Sequence, residues 1–401
     1  MKNRFLFLLA ILSMCVTLPA VTHAQINRLL PIAARLQWDN ANGYCGEESI
    51  QMCGLYFGNY ISQDVVRTVA GGELLIGVND VAALNAFSFN CEEWDFDNQV
   101  TPQYQNYLVW VKEHLYNYSP VIITVFVQGM SDPDYDHIIP AIGFNAATSN
   151  SYSDADQLIF HDCYAATPYT RSFVSMWDTR SMNGNGATYE YCIPKNVDYG
   201  CAVTGIKDPQ SKCKPVRLTL NRWDEPNVTL GEPAESMTAT ITIESLTAGQ
   251  QYALLRYNNY TQVPATDFNP AGAGSVVYFT AADSTKTLSD NFMSNTAVFY
   301  RCVEYTYNGT EEQKITNDLN LSVYPNPVNR SSRLYFTLNE AQNVTMELFD
   351  VNGRLVENII NSEFEAGEHQ IALNTDDLPE GVYYCRMISK DNCRVLRIMK
   401  N

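Results

Sequence analysis

Lysine and arginine are scarce in this 401-residue chain: 26 of them stand against 44 aspartates and glutamates, a formal net charge of -18. No basic footprint exists to hold a phosphate backbone, which argues against nucleic acid as a partner and against adhesion to anionic lipid. Histidine is rarer still, with 5 in the whole chain. Neither a Cys-x-x-Cys nor a His-x-x-x-His pair occurs, so the spacing of a structural zinc site is missing and no metal or cofactor is expected. The EF-hand loop pattern is missing too. Asp132, Asp134 and Asp136 alternate ahead of His137 and read as a solvated turn rather than a calcium loop. Beyond the first two dozen residues no apolar run is long enough to cross a bilayer.

What is present begins with an export signal. Lys2 and Arg4 give a basic start, Phe5 to Val16 an apolar run, and Thr22-His23-Ala24 a cleavage site, so residues 1–24 read as a secretory signal peptide. Export permits disulfides. Of the 11 cysteines one lies in the signal, and the pairing of Cys45, Cys53, Cys91, Cys163, Cys192, Cys201, Cys213, Cys302, Cys385 and Cys393 is not fixed by sequence. With 46% hydrophobic and 17% charged residues, the chain suits a globular protein of two to three domains.

The stretch from Gln37 to Leu55 organises the rest. A Gly-containing loop, Asn42-Gly43-Tyr44, ends at Cys45, where a helical pattern begins. Gly46, Ser49 and Cys53 place small residues near one face, with Ile50 and Phe57 as apolar anchors. A cysteine at a helix N-terminus sits at the positive end of the helix dipole, which favours thiolate over thiol. Gln37, just upstream, offers a side-chain amide to an oxyanion. This arrangement resembles papain-like cysteine peptidases, most closely the bacteriocin-processing (double-glycine-leader) type. Tyr44 stands where that type more often has aspartate.

Three helices follow this one in the expected order: one capped by Ser62 and stopped by Gly71-Gly72, one opening at Asn79, and one opening at Thr101-Pro102 with Tyr107, Leu108, Val111 and Leu115 on one face. Strands come next, Val121–Val127, His137–Phe144 and Gln157–Asp162, and Pro140 suggests an edge or a bulge. Helices first and strands after is an α+β order. The resemblance matches His137 to the catalytic histidine that opens a strand and Asp162 to the acid at the end of the next. An imidazole takes the thiol proton and later protonates the leaving group, while a carboxylate on its other nitrogen fixes the tautomer. His161 competes for the role, but alternation puts it on the sheet face opposite Asp162.

Residues 205–215 mark a boundary rich in Lys, Pro and Ser. Alternating runs follow at Val216–Leu220, Met237–Ile243, Tyr252–Tyr257 and Ser275–Phe279, which reads as a sandwich-like domain. Its Tyr252, Tyr257 and Tyr260 read as packed sheet rather than as a binding face. From Leu319 the chain resembles the sorting domain of the type IX (Por) secretion system of Bacteroidetes-like bacteria, through Val323-Tyr-Pro-Asn-Pro327, Leu348-Phe-Asp-Val-Asn-Gly353, Leu378-Pro-Glu-Gly-Val-Tyr383 and the terminal Lys400-Asn401.

The expected organisation is therefore a signal peptide (1–24), a papain-like cysteine peptidase domain (25–205), a β-sandwich-like domain (214–310) and a type IX sorting domain (319–401). The expected fold class is α+β papain-like followed by two all-β sandwich-like domains. The resemblance implies a secreted peptidase with Cys45 as nucleophile, His137 as general base and acid, Asp162 as orienter and Gln37 as oxyanion donor. The same residues would serve an amidase or transferase. The expected partners are a peptide or protein substrate and the type IX machinery, without a membrane span, at the cell surface or outside. The rival is a catalytically inactive surface binding module. Glu47 and Glu48 speak for it, since acids in the first turn after Cys45 disfavour a nearby thiolate.

Overall fold

The structure, a computed structural model, describes residues 25–39, 43–126, 137–178, 191–194, 196–305, 320–338, 341–351, 354–376, 378–389 and 392–400. The signal peptide, the acidic turn at 131–136 and the first part of the boundary with the tail near 310 lie outside them.

Chain order begins with β1 (Ile26–Leu29) and α1 (Cys45–Tyr56), then β2 (Asn59–Ile61), α2 (Gln63–Ala70), α3 (Asp80–Ala86), β3 (Phe89–Glu93) and α4 (Tyr104–Tyr116). Every residue of α1 from Gly46 to Tyr56 is buried, so this helix has no wet face and runs through the interior. Two glycines make that possible. A Cβ on Gly46 would stand 2.8 Å from the Leu74 carbonyl oxygen, and one on Gly54 would stand 3.0 Å from that of Asn59. α2 ends where Gly71 takes the left-handed conformation that glycine adopts without cost. α4 starts at Tyr104, two residues later than Pro102 suggested, and buries Tyr107, Leu108, Val111 and Leu115 as its spacing requires.

Next come β4 (Val121–Val125), β5 (His137–Ala146), β6 (Gln157–Phe160), β7 (Tyr169–Ser172), the single turn α5 (Phe173–Met176), the short parallel pair β8 (Trp177–Asp178) and β9 (Ile193–Pro194), and β10 (Gly200–Ile206). They build a seven-stranded antiparallel sheet in the order β3-β10-β4-β5-β6-β7, with β1 also pairing β5. Pro140 is therefore not on an edge. It lies in a central strand, beside the register shift between Ala141 and Gly143 that the β5–β6 ladder absorbs as a bulge.

The next segment supplies β11 (Cys213–Lys214), β12 (Val216–Leu220), β13 (Ser236–Ile243), β14 (Gln251–Tyr257), β15 (Ser275–Thr280), β16 (Lys286–Met293) and β17 (Ala297–Glu304). Strands β12-β13-β16 form one sheet, and β11-β17-β14-β15 belong to another. Leu218, Ile241, Ile243, Leu254, Phe279 and Phe292 from these two sheets share one apolar core. Tyr252 and Tyr257 are fully buried, so no tyrosine face is offered there. The tail contributes β18 (Asn320–Tyr324), β19 (Arg333–Leu338), β20 (Gln342–Asp350), β21 (Leu355–Phe364), β22 (Gly367–Ala372), β23 (Gly381–Ser389) and β24 (Asn392–Lys400). These also lie in two sheets, with Leu334, Phe336, Met346, Leu348, Cys385 and Leu396 between them.

The expected fold class does not hold. Among the described residues 24 strands stand against 5 α-helices, and nearly all strand pairing is antiparallel. An α+β papain-like domain followed by two independent sandwiches is not what the chain builds. The helix-first reading missed β1, which precedes α1, and β2 and β3, which fall between the helices. The three residues of β2, at the end of the run Phe57-Gly-Asn-Tyr-Ile61, are too few to show a period. β2 moreover pairs not with its neighbours in sequence but with β17, Ala297 facing Ile61 and Phe299 facing Asn59. One apolar cluster accordingly joins Ile50, Ile61, Leu84 and Phe89 to Leu255, Tyr257 and Phe299. Each such side chain taken fully from water contributes about 1.5–3 kcal/mol.

Candidate active site

Cys45 opens α1, and His137 opens β5. The two ends are clamped. Ser49 Oγ lies 2.7 Å from the Cys45 carbonyl oxygen and 3.3 Å from that of Ile138. Cys163 Sγ lies 3.7 Å and 3.6 Å from the same two oxygens. One hydroxyl and one thiol thus tie the first turn of α1 to the first residues of β5. The β5–β6 hairpin then returns Asp162 to the start of β5, where its Oδ1 is 3.0 Å from His137 Nε2. Asp162 Oδ2 accepts a hydrogen bond from the Tyr191 hydroxyl.

With Nε2 held by Asp162, Nδ1 is the nitrogen of His137 left over, and Cys45 is near enough to help stabilise the charged ring. Burial works against a charged imidazole, yet the bonds from Asp162 and Cys45 outweigh it and push His137 up to about 9. Burial also works against the Asp162 carboxylate, and the bonds from His137 and Tyr191 outweigh that too, holding it below its ordinary value. The site thus favours imidazolium beside carboxylate. His161 takes no part. It points the other way, as alternation requires, and its Nε2 lies 2.9 Å from the Ile32 carbonyl oxygen.

The acids after Cys45 are neutralised in two different ways. Glu47 pairs with Arg67 at 2.7 Å and also accepts from the Leu74 amide. Arg67 lies over the Tyr44 ring, 3.5 Å from its centroid, which gives the tyrosine before Cys45 a structural purpose. Glu48 is wholly buried against Cys163, and burial pushes its carboxyl up to about 8, so it is uncharged at neutral pH. Neither acid therefore opposes a thiolate at Cys45 there.

Gln37 is brought to the same place by a network that sequence reasoning did not find. Its backbone N–H donates to the Cys163 carbonyl at 3.0 Å. The strand of chain on either side is fastened to Glu225: Arg35 Nη2 lies 3.2 Å from Oε2, Gln51 Nε2 donates to it at 2.9 Å and Tyr60 at 2.5 Å. Trp38 Nε1 donates to the Glu225 carbonyl at 3.2 Å. The Gln37 amide is not an idle donor. Its Nε2 donates to the hydroxyl of Tyr164, a residue that no motif singles out. The one available signal was its position two residues beyond Asp162.

Comparison with known proteins bears on the other end of the chain. Residues 322–401 match the family described as a secretion system C-terminal sorting domain. The type IX sorting domain is present. The protein is accordingly exported by type IX secretion to the cell surface or beyond, and the secretion machinery is a partner. No curated protein matches the chain. Among solved structures, similarity is found to a tetra-tandem repeat in the extending region of a large adhesion protein, at 12% identity over 70% of this chain and 65% of that one, TM-score 0.16. It is also found to PorZ, a surface component of the type IX secretion system of Porphyromonas gingivalis, at 11% identity over 70% of this chain and 30% of that one, TM-score 0.16. The chain spans less than two thirds of either. No helix among the described residues is long and apolar enough to cross a membrane.

Proposed function

We propose that this exported protein is a cysteine hydrolase that cleaves peptide bonds through Cys45, His137 and Asp162. The observation that carries the reading is the gathering of three residues from three elements: a half-buried thiol at a helix start, a histidine opening the strand that Ser49 clamps to that helix start, and a buried carboxylate 3.0 Å from Nε2 of that histidine. In this scheme the Cys45 thiol gives its proton to His137 Nδ1 and its sulfur attacks the acyl carbon. His137 passes that proton to the leaving amine, and water, activated by the same imidazole, releases the acid from the thioester. Asp162 keeps the imidazole in place and steadies its charge. Amide hydrolysis other than of peptides, or acyl transfer, would use the same groups.

The second reading is a catalytically inactive surface binding module. The sorting tail and the β-rich body suit it at least as well, since neither requires chemistry at Cys45. Iodoacetamide labelling of the folded protein at mildly acidic pH, run beside peptide hydrolysis, separates the two. The hydrolase reading expects Cys45 to label faster than an ordinary exposed thiol and Cys45→Ala to abolish cleavage. Slow labelling together with no cleavage by the parent chain would leave the binding module standing, and cleavage undiminished in Cys45→Ala would rule out Cys45 as the nucleophile.

A further inference from the structure

Tyr164 stands between the nucleophile and the amide expected to hold the oxyanion. Its ring lies nearly parallel to the His137 imidazole, 19° apart with centroids at 6.2 Å. Its hydroxyl oxygen accepts the Gln37 Nε2–H bond, and its backbone N–H donates to Asp162 Oδ1 at 3.3 Å. The hydroxyl lies within electrostatic reach of Cys45, and partial burial, with the nearby negative charge of Asp39, pushes its pKa up, so the phenol keeps its proton. The residue is 52% exposed, which leaves the hydroxyl reachable by an incoming acyl group.

We propose that Tyr164 is a catalytic residue whose O–H donates to the acyl oxygen as Cys45 attacks, and that Gln37 is the positioning residue that aims it. The inference rests on the hydrolase reading above. As the Cys45 sulfur bonds to the carbonyl carbon, the C=O π pair moves onto oxygen, and the phenol O–H is the donor placed to meet it. A phenol that is itself accepting from an amide is polarised and is a stronger donor for it. When the oxyanion collapses, the C=O bond reforms and the bond to the leaving group breaks. The leaving group takes the proton held by His137, and Tyr164 keeps its own throughout.

The test uses p-nitrophenyl acetate as the acyl probe on the full exported chain. Acylation of Cys45 is read as the burst of p-nitrophenolate, and alkylation by iodoacetamide, which builds no oxyanion, is read in parallel. Tyr164→Phe should lower the saturating acylation rate roughly tenfold to hundredfold, with half-saturation and alkylation rate unchanged. Gln37→Ala should lose less, and the double variant should match Tyr164→Phe alone. Equal losses in acylation and alkylation would make Tyr164 a mere prop for His137. No loss, or losses that add in the double variant, would return the donor role to Gln37. Either result overturns the proposal and leaves the hydrolase reading intact. A burst that survives in Cys45→Ala, or is absent from the parent, sinks the hydrolase reading and takes this role with it.

Discussion

His137 and Asp162 meet at 3.0 Å although 25 residues separate them, and both are more than nine-tenths buried. That contact sets the order of losses expected from substitution. His137→Ala should abolish hydrolysis almost as fully as Cys45→Ala, because the pair acts as a unit. Asp162→Asn should hurt less, since Tyr191 and the hairpin still hold the position. Initial rates on a peptide substrate would show it, and an Asp162→Asn variant worse than His137→Ala would contradict the assigned roles.

The buried Glu48 makes a pH prediction. Its carboxyl is held up near 8 in the fold against 4.5 when free. A raised acid stabilises the fold fully below its unfolded value and loses that contribution as pH rises through the folded one. Stability should therefore fall between about pH 4.5 and 8, on the order of a few kcal/mol. His137, raised from 6.5 to about 9, loses its contribution in the same sense over that higher window. Glu48→Gln should flatten the lower part of the profile and leave the upper part. Urea unfolding at stepped pH measures both, and an unchanged slope in Glu48→Gln would rule out Glu48 as its source.

Glu225 should matter to the site from a distance. Glu225→Ala strands Arg35, which is 1% exposed, and removes the acceptor of Gln51 and Tyr60. Breaking such a buried pair costs roughly 3–5 kcal/mol. Glu225→Gln, which keeps an acceptor, should cost less. Denaturant midpoints would decide, together with a drop in ester acylation as the 35–38 segment loosens around Gln37.

Deleting residues 319–401 should stop the protein in the periplasm. The sorting domain at 322–401 is the reason. Immunoblots of periplasm and medium would show equal external amounts of both forms if the tail were dispensable.

The sequence was most readable where a local pattern and a chemical requirement coincide. The start of α1 at Cys45, the Gly71 stop of α2, the strand beginning at His137 and the alternation that separates His161 from Asp162 all follow from neighbours in the chain. The end of β5 was harder to place, two residues beyond the expected Phe144, because nearly all of the strand is buried and shows no alternation. The bond between Gln37 and Tyr164 spans 127 residues and that between Arg35 and Glu225 spans 190, and no local period encodes either. The fold class failed for the same reason: where β2 pairs is decided by β17, more than 200 residues on.

The seam between body and tail has a consequence for export. β15 pairs β14 along its length, but on its other side it meets only Leu396 of β24, at Ser275, with the Arg397 amide on the Gly274 carbonyl at 2.9 Å. The tail thus acts as a bookend at one end of a sheet margin that the body does not close for itself. Any protein in which it is cut away also bares the Gly274–Ser275 end of that margin. Such a margin invites another strand, so the severed form is the one to watch for self-association.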